Sequence, residues 1–224
     1  MSRKNIRLLD GIPLIAHTIK AAQQSRMLDA VVVSTEDEEI ARIAAEYDTQ
    51  VIRRPMSLAE DWVQNTDVVR HALEVLGDGY GYVVLLQPTS PLRTSSDIDA
   101  CLSPLINGEA RSVITVTQIE HHPGKALLLD HKWEVQPFTT VADMEARRQD
   151  LPMVYRQNGA VYGLGREEFL LENRFILFPC RAHIMSQENS IDIDNEFDFF
   201  IAERILESRK SGSSGYSTAG TANV

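Results

Sequence analysis

Short, wholly apolar runs alternate along this chain with stretches whose apolar residues recur every three or four positions, and that alternation leaves few folds open. Ala30-Val31-Val32-Val33 is β-branched and apolar throughout, as in a strand covered on both faces. Thr35 to Glu38 then carries the T-x-x-E pattern of a capping box, with Ile40, Ile43, Ala44 and Tyr47 on one helical stripe behind it. Val51-Ile52 predicts a second strand, and a helix near Thr66 turns Val68, Val69, Ala72, Leu73 and Leu76 inward. Tyr82 to Leu86 predicts another buried strand, a helix begins near Ser96-Asp97, and Ser112 to Val116 repeats the strand signal. This order predicts an α/β chain with a mostly parallel, Rossmann-like sheet and helices on both faces. Ligands of such sheets bind beyond the carboxyl ends of the strands. That singles out Ser34-Thr35, Arg53-Arg54, Gln87 to Arg93 and the segment after Val116.

The rhythm breaks between about residues 119 and 155, where His122-Pro123, Lys125, the Ala126 to Val135 region and Arg147-Arg148 predict a hairpin-bearing insertion. It resumes with a strand at Ala160-Val161-Tyr162, a short helix near Glu167 to Glu172, and a last helix over about Asn195 to Leu206. Phe197, Phe200, Ile201 and Ile205 are assigned to the inner face of that helix. One domain therefore spans residues 1–210, and the Ser/Gly/Thr/Ala-rich stretch 211–224 reads as a disordered tail. Near the start, Asp10-Gly11 and Pro13 introduce a helix bearing Leu14, Ile15, Ile19 and Ala22, with no strand before it.

The net charge of −10, with no basic run longer than two residues, argues against nucleic-acid backbone binding. A few aimed arginines can still hold a small anion in such a protein. No run approaches the roughly 18 apolar residues of a membrane span, and the amino-terminal residues lead straight into an amphipathic pattern, so a cytoplasmic protein without a signal peptide is expected. Cys101 and Cys180 lack CxxC spacing and read as free thiols.

Three segments carry residues able to do chemistry. Gln87-Pro88-Thr89-Ser90-Pro91-Leu92-Arg93 follows a buried strand, and its prolines fix a backbone that presents polar groups. The same segment would serve equally as a rigid connection capping the next helix. Ile191-Asp192-Ile193-Asp194, if extended, puts both carboxylates on one face and both isoleucines in the core. Two such carboxylates suit magnesium, and Asp194 alone would suit a helix cap. Arg148 and Arg156 could bind a carboxylate bidentately or pair with Glu145 and Asp150 on the surface. His121 and His122 have no third ligand at zinc spacing, and neither GxGxxG nor GxxxxGK[ST] occurs.

From Arg3 to about Leu206 the chain resembles the CMP-sialic acid synthetases, or acylneuraminate cytidylyltransferases. The likeness is carried by Arg3-Lys4-Asn5, Gly11 with Pro13-Leu14-Ile15, Val33-Ser34-Thr35 with Asp37 to Ala41, and Arg54-Pro55 with Leu58-Ala59. It continues through Gln87 to Arg93, His122-Pro123, Arg147 to Pro152, Asn158-Gly159-Ala160 and Asp192-Ile193-Asp194. The resemblance implies a nucleotidyltransferase fold, a homodimer to which the insertion contributes, and formation of a CMP-sugar and pyrophosphate from CTP and an acidic nine-carbon sugar. It implies that Lys4, Asn5 and Arg54, with Thr66 nearby, contact the nucleotide. It gives Gln87, Lys125, Arg148, Arg156, Asn158 and Tyr162 to the sugar site. Asp192 and Asp194 would hold Mg2+, with Lys4 beside them as a catalytic group.

Members of that family place a hydrophobic strand and a loop of the type P-A-R-G-G-S-K-G before the segment matching Arg3-Lys4-Asn5, where this sequence has Met1 and Ser2. The expectation is a sheet short of one member and a weakened phosphate grip. An incomplete reading frame fits that departure, as does a second function class, a non-catalytic nucleotide- or sugar-binding protein on the same fold.

Overall fold

The computed structural model describes residues 3–60 and 62–213; most of the expected tail lies outside them. The amino-terminal residues form a small antiparallel pair, β1 (Leu8–Leu9) and β2 (Ile12–Pro13), where the sequence reading has no strand. Its turn residues Asp10 and Gly11 both have positive φ, 51° and 83°, the left-handed geometry that lets a two-residue loop close a hairpin. Pro13 then leads into α1 (Leu14–Gln23), and Leu14, Ile15, Ile19 and Ala22 are all buried as the spacing requires.

β3 (Val32–Thr35) runs into α2 (Glu38–Glu46). The cap is Asp37 and not Thr35: its carboxylate accepts from the amides of Glu39 and Ile40 at 2.8 and 3.0 Å. Thr35 sits one step back, its hydroxyl accepting from the Asp37 amide. An aspartate directly before the first helical residue outcompetes a threonine two positions earlier. β4 (Gln50–Arg53) pairs parallel with β3, and α3 (Asn65–Leu76) follows. β5 (Tyr82–Leu85) precedes α4 (Ser95–Ile106), whose amino terminus is a full capping box between Thr94 and Asp97.

β6 (Ser112–Gln118) leads into the insertion, which contains the exposed hairpin β7 (Leu127–Leu129) and β8 (Val135–Pro137) and the short helix α5 (Val141–Glu145). β9 (Tyr155–Gly165) returns through the centre of the sheet, followed by α6 (Arg166–Glu172), β10 (Cys180–Ile184) and α7 (Glu196–Ser213). β10 was not read from the sequence, because Cys-Arg-Ala-His-Ile alternates too weakly. α7 extends to Ser213, past residue 211 where the tail is expected to start, and the rest of the expected tail lies outside the described residues.

The architecture is α/β, and its ladders are mixed. The four-stranded sheet has the order β10-β6-β9-β5, with β10 parallel to β6 and β9 antiparallel to both β6 and β5. β5, β6 and β10 therefore run one way and β9 the other. The β3–β4 pair forms its own parallel ladder. Among the described residues, β3 is paired only through β4 and β5 only through β9. A cavity of about 790 Å³ is lined by Val32 and Val33 of β3, Val83 and Leu85 of β5, and Ile15, Ile19, Val69, Leu73 and Leu102 from three helices.

The last helix corrects a face. Phe197 and Phe200 are exposed, at 69% and 54%, while Phe199 and Ala202 are buried against Leu9, Leu14, Leu92 and Ile193. Four aromatic-rich positions in a row leave the stripe ambiguous by about one residue, and packing against the β1–β2 pair decides it.

Candidate active site

The loop leaving β5, the middle of β9 and the segment before α7 meet at one place. Gly159 has φ +74°, and a Cβ there would overlap Gln87 Oε1 and stand 3.9 Å from Asp192 Oδ2. Its lack of a side chain is what lets the amide and the carboxylate converge. Ile193 is fully buried and Ile191 packs on the same cluster, so the alternation places the isoleucines inward as read. The backbone between them is pinned by the Ile193 amide, which donates to the Thr89 carbonyl at 2.8 Å.

Asp192 and Asp194 differ in surroundings. Asp192 Oδ1 is buried with no hydrogen-bond partner among the described residues. Burial raises its pKa above the usual aspartate value, and the Asp194 charge adds to this; the Thr89 hydroxyl and the charges of Lys4 and Arg156 pull the other way. Asp194 is largely exposed and lies 3.5 Å from the Lys4 ammonium, which also donates to the Ile193 carbonyl at 2.5 Å. The alternative that Asp194 caps α7 is overturned. Asn195 accepts from the amides of Phe197 and Asp198, and the Asp198 carboxylate accepts from the amides of Asp194 and Asn195.

Tyr162 joins this group from β9. Its pKa is raised by burial and by the Asp192 charge, its ring packs on Phe175, and its hydroxyl donates to Gln157 Oε1 at 3.4 Å. Arg156 is exposed and close enough for its charge to act on Asp192. Asn158, given to the sugar site by resemblance, is 2% exposed and fully engaged. Its oxygen accepts from the Thr115 hydroxyl at 2.6 Å and its amide donates to Ser190 Oγ at 2.9 Å. It acts as a strut behind the site.

Lys125 and Arg148 lie on the insertion. Lys125 donates to the carbonyls of Met144 and Ala146, and neither it nor Arg148 is hydrogen-bonded to the Gln87–Tyr162–Asp192 group among the described residues. Surface pairing with Asp150 falls to Arg147, which makes two bonds at 2.7 and 2.9 Å, and leaves Arg148 exposed. Asn5 and Arg54 line the large cavity together with Ser34 and Thr35. Arg54 pairs with Glu36; burial pushes that carboxyl up, and the guanidinium's bond and charge together with a backbone amide bond leave the pKa lowered. Asn5 Oδ1 and Thr66 Oγ1 are buried without partners among the described residues, so both expected nucleotide contacts retain unused polar atoms. The cavity and the carboxylate cluster are thus different places, and the polar convergence marks the chemistry better than the larger apolar void does. Reading the sequence missed the roles of Thr89 and Gly159; the Asn158-Gly159 dipeptide, a common left-handed signal, would have flagged the second.

A cytidylyltransferase family model matches residues 1–206. The chain is 34% identical over 198 residues to an N-acylneuraminate cytidylyltransferase of Streptococcus agalactiae serotype III, a stretch covering 88% of this chain and 48% of that protein. It thus spans about half the length of such curated relatives. It is 31% identical over 212 residues to a CMP-N,N'-diacetyllegionaminic acid synthase of Legionella pneumophila subsp. pneumophila, covering 91% and 89% of the two chains. Among solved structures, a CMP:2-keto-3-deoxy-manno-octonic acid synthetase complexed with CTP superposes with TM-score 0.70 at 11% identity, covering 93% of each chain. That likeness establishes a shared fold.

Proposed function

Because this chain belongs to the cytidylyltransferase family, we propose that it transfers the CMP group of CTP to the anomeric hydroxyl of a nonulosonic acid and releases pyrophosphate. The observation that carries this reading is the Asp192 carboxylate, held beside Gln87 over Gly159 with its Oδ1 buried and unpartnered among the described residues. A carboxylate oxygen kept buried without a bond costs free energy, and a protein that merely displays this fold has no use for it. The donor set of Asp192 and exposed Asp194 fits a hard divalent cation. Held there, Mg2+ would offset charge on the phosphate oxygens.

The chain's own groups supply positioning and charge. Lys4, fixed by the Ile193 carbonyl and Asp194, brings an ammonium to the carboxylate pair and would offset charge on the nucleotide phosphates. Asn5, Arg54 and Thr66 would take the nucleotide. Gln87, Tyr162 and Arg156 would face the sugar, and an arginine opposite its carboxylate would reject neutral sugars, since a desolvated guanidinium left unpaired is costly. Lys125 and Arg148 would join them from the insertion. The exposed Leu127, Leu129, Val135, Phe138 and Val141 of that insertion form an apolar surface suited to a second copy of the chain, which supports a homodimer.

No helix among the described residues is long and apolar enough to cross a membrane. The two free cysteines and the need for CTP favour a cytoplasmic setting. The test is pyrophosphate release from CTP and Mg2+ with N-acetylneuraminate, a legionaminate or a pseudaminate in turn. Release dependent on one of these acids is expected, whereas release with none of them, or equally with a neutral sugar 1-phosphate, refutes the proposal.

A further inference from the structure

Arg93 closes the loop that leaves β5 and is only 3% exposed. A buried guanidinium usually faces a carboxylate, yet this one bonds to neutral oxygens. Nη1 donates to the Ala160 carbonyl at 2.6 Å and the Gln87 carbonyl at 3.3 Å, and Nη2 donates to Thr18 Oγ1 at 2.6 Å. Nε is buried with no partner among the described residues. Burial lowers its pKa to about 10 and the Asp97 charge opposes this, so the group stays cationic at neutral pH. Asp97 itself is engaged by His183, Thr94 and Asn189.

The acceptors lie on three separate pieces of the fold: α1, the β5 exit and β9. Two of them belong to the site's frame, since Gln87 supplies the amide at the cluster and Ala160 follows the Gly159 over which it lies. The same loop reaches the carboxylates, because the Thr89 carbonyl accepts from the Ile193 amide and the Thr89 hydroxyl bonds Asp192. Ser90 Oγ also donates to the Asn158 carbonyl at 3.4 Å. A rigid fork can span these acceptors at once, where a lysine ammonium offers a point charge.

We propose that Arg93 is a positioning residue: its fork fixes the Gln87–Arg93 loop against β9 and so sets the Gln87 amide relative to the Asp192 carboxylate. It touches neither substrate. The activity readout rests on the transferase reading above; the exchange readout does not.

The experiment compares wild type, Arg93→Lys and Thr18→Val by steady-state kinetics and by amide hydrogen exchange, at a temperature where all three are folded. Arg93→Lys should raise KM for the sugar acid at least tenfold and leave KM for CTP within twofold. Exchange should quicken at least tenfold at residues 87–93 and 190–194, and stay unchanged in β3 and α2. Thr18→Val, which removes one acceptor, should move both in the same direction by less. Wild-type kinetics and exchange in Arg93→Lys would overturn the proposal, and so would exchange quickened equally everywhere, the mark of a merely structural residue. If wild type turns over none of the sugar acids, the transferase reading fails and the exchange pattern alone decides the role of Arg93.

Discussion

Asn158 is buried at the back of the cluster and Asp192 half-buried at its front, and the structure treats their polar atoms in opposite ways. Asn158 has its oxygen and its nitrogen both engaged, by Thr115 and Ser190. Asp192 keeps a buried oxygen with no partner among the described residues. Buried polar groups in folded proteins are nearly always bonded, so the first arrangement is what the fold requires and the second is held for something the fold does not supply. The contrast separates residues that build the site from the one that works in it.

The comparison breaks most visibly at Asp192. Asp192→Asn should lower turnover about 100- to 1,000-fold, the loss typical of removing one preorganised electrostatic contact, while the protein melts no lower than wild type. The sign follows from its raised pKa. The folded state disfavours the charged carboxylate, so the group supports stability only at low pH, and that support is lost as pH rises through its folded value. Removing the charge should thus leave stability at pH 7 unchanged or slightly higher, as thermal denaturation would show. A variant that unfolds at the working temperature would place Asp192 with the struts.

Asn158→Ala should do the reverse. It removes the buried bonds to the Thr115 and Ser190 hydroxyls and should destabilise the fold by about 1–3 kcal/mol, read by chemical denaturation. Gly159→Ala belongs to both classes. Placing a side chain at φ +74° costs about 1–2 kcal/mol, and the displaced Gln87 amide should raise KM for the sugar acid more than KM for CTP. An unchanged KM ratio would show that Gln87 does not contact the sugar.

The smallest effect concerns a group far from the cluster. Burial lowers the pKa of His17 below the usual histidine value, against the Leu9 carbonyl that accepts its ring N–H at 2.9 Å. Asp10 also favours the charged form, while Lys20 and Lys210 disfavour it. A lowered folded pKa means the unfolded chain binds the proton more readily. Stability is therefore full above about pH 6.5 and declines as pH falls through the folded value, by no more than about 1.4 kcal/mol per pH unit. His17→Gln should flatten that slope in denaturation at pH 7, 6 and 5; an unchanged slope would assign it to other groups.

Much of this was legible in the residues. Apolar runs located β3, β4, β5 and β6, helical stripes located α1 to α3, the Ser96-Asp97 start located α4, and the alternation at Ile191 to Asp194 put isoleucines inward. What escaped depended on tertiary context. Cys180 to Ile184 becomes a strand because β6 offers it an edge, and its own pattern is weak. The mixed ladders follow from β9 returning antiparallel between β6 and β5, which a long insertion permits and local periodicity cannot signal. Asp194 read equally well as a cap or a ligand until Asn195 and Asp198 were seen to cap α7. Asn158, Arg148 and Lys125 carry the same kinds of polar group as Gln87 and Tyr162, and only packing sorts struts and insertion residues from those at the cluster.

The central claim is that Asp192 is held for the reaction. The most direct test follows the phosphorus resonances of CTP by NMR, with the purified chain, Mg2+ and the sugar acid it accepts, for wild type and for Asp192→Asn. The account predicts that wild type converts the triphosphate signals to a CMP-sugar phosphodiester and pyrophosphate, and that equally folded Asp192→Asn leaves them essentially unchanged. Equal conversion by both proteins would contradict it, because the Asp192 carboxylate would then have no part in the chemistry.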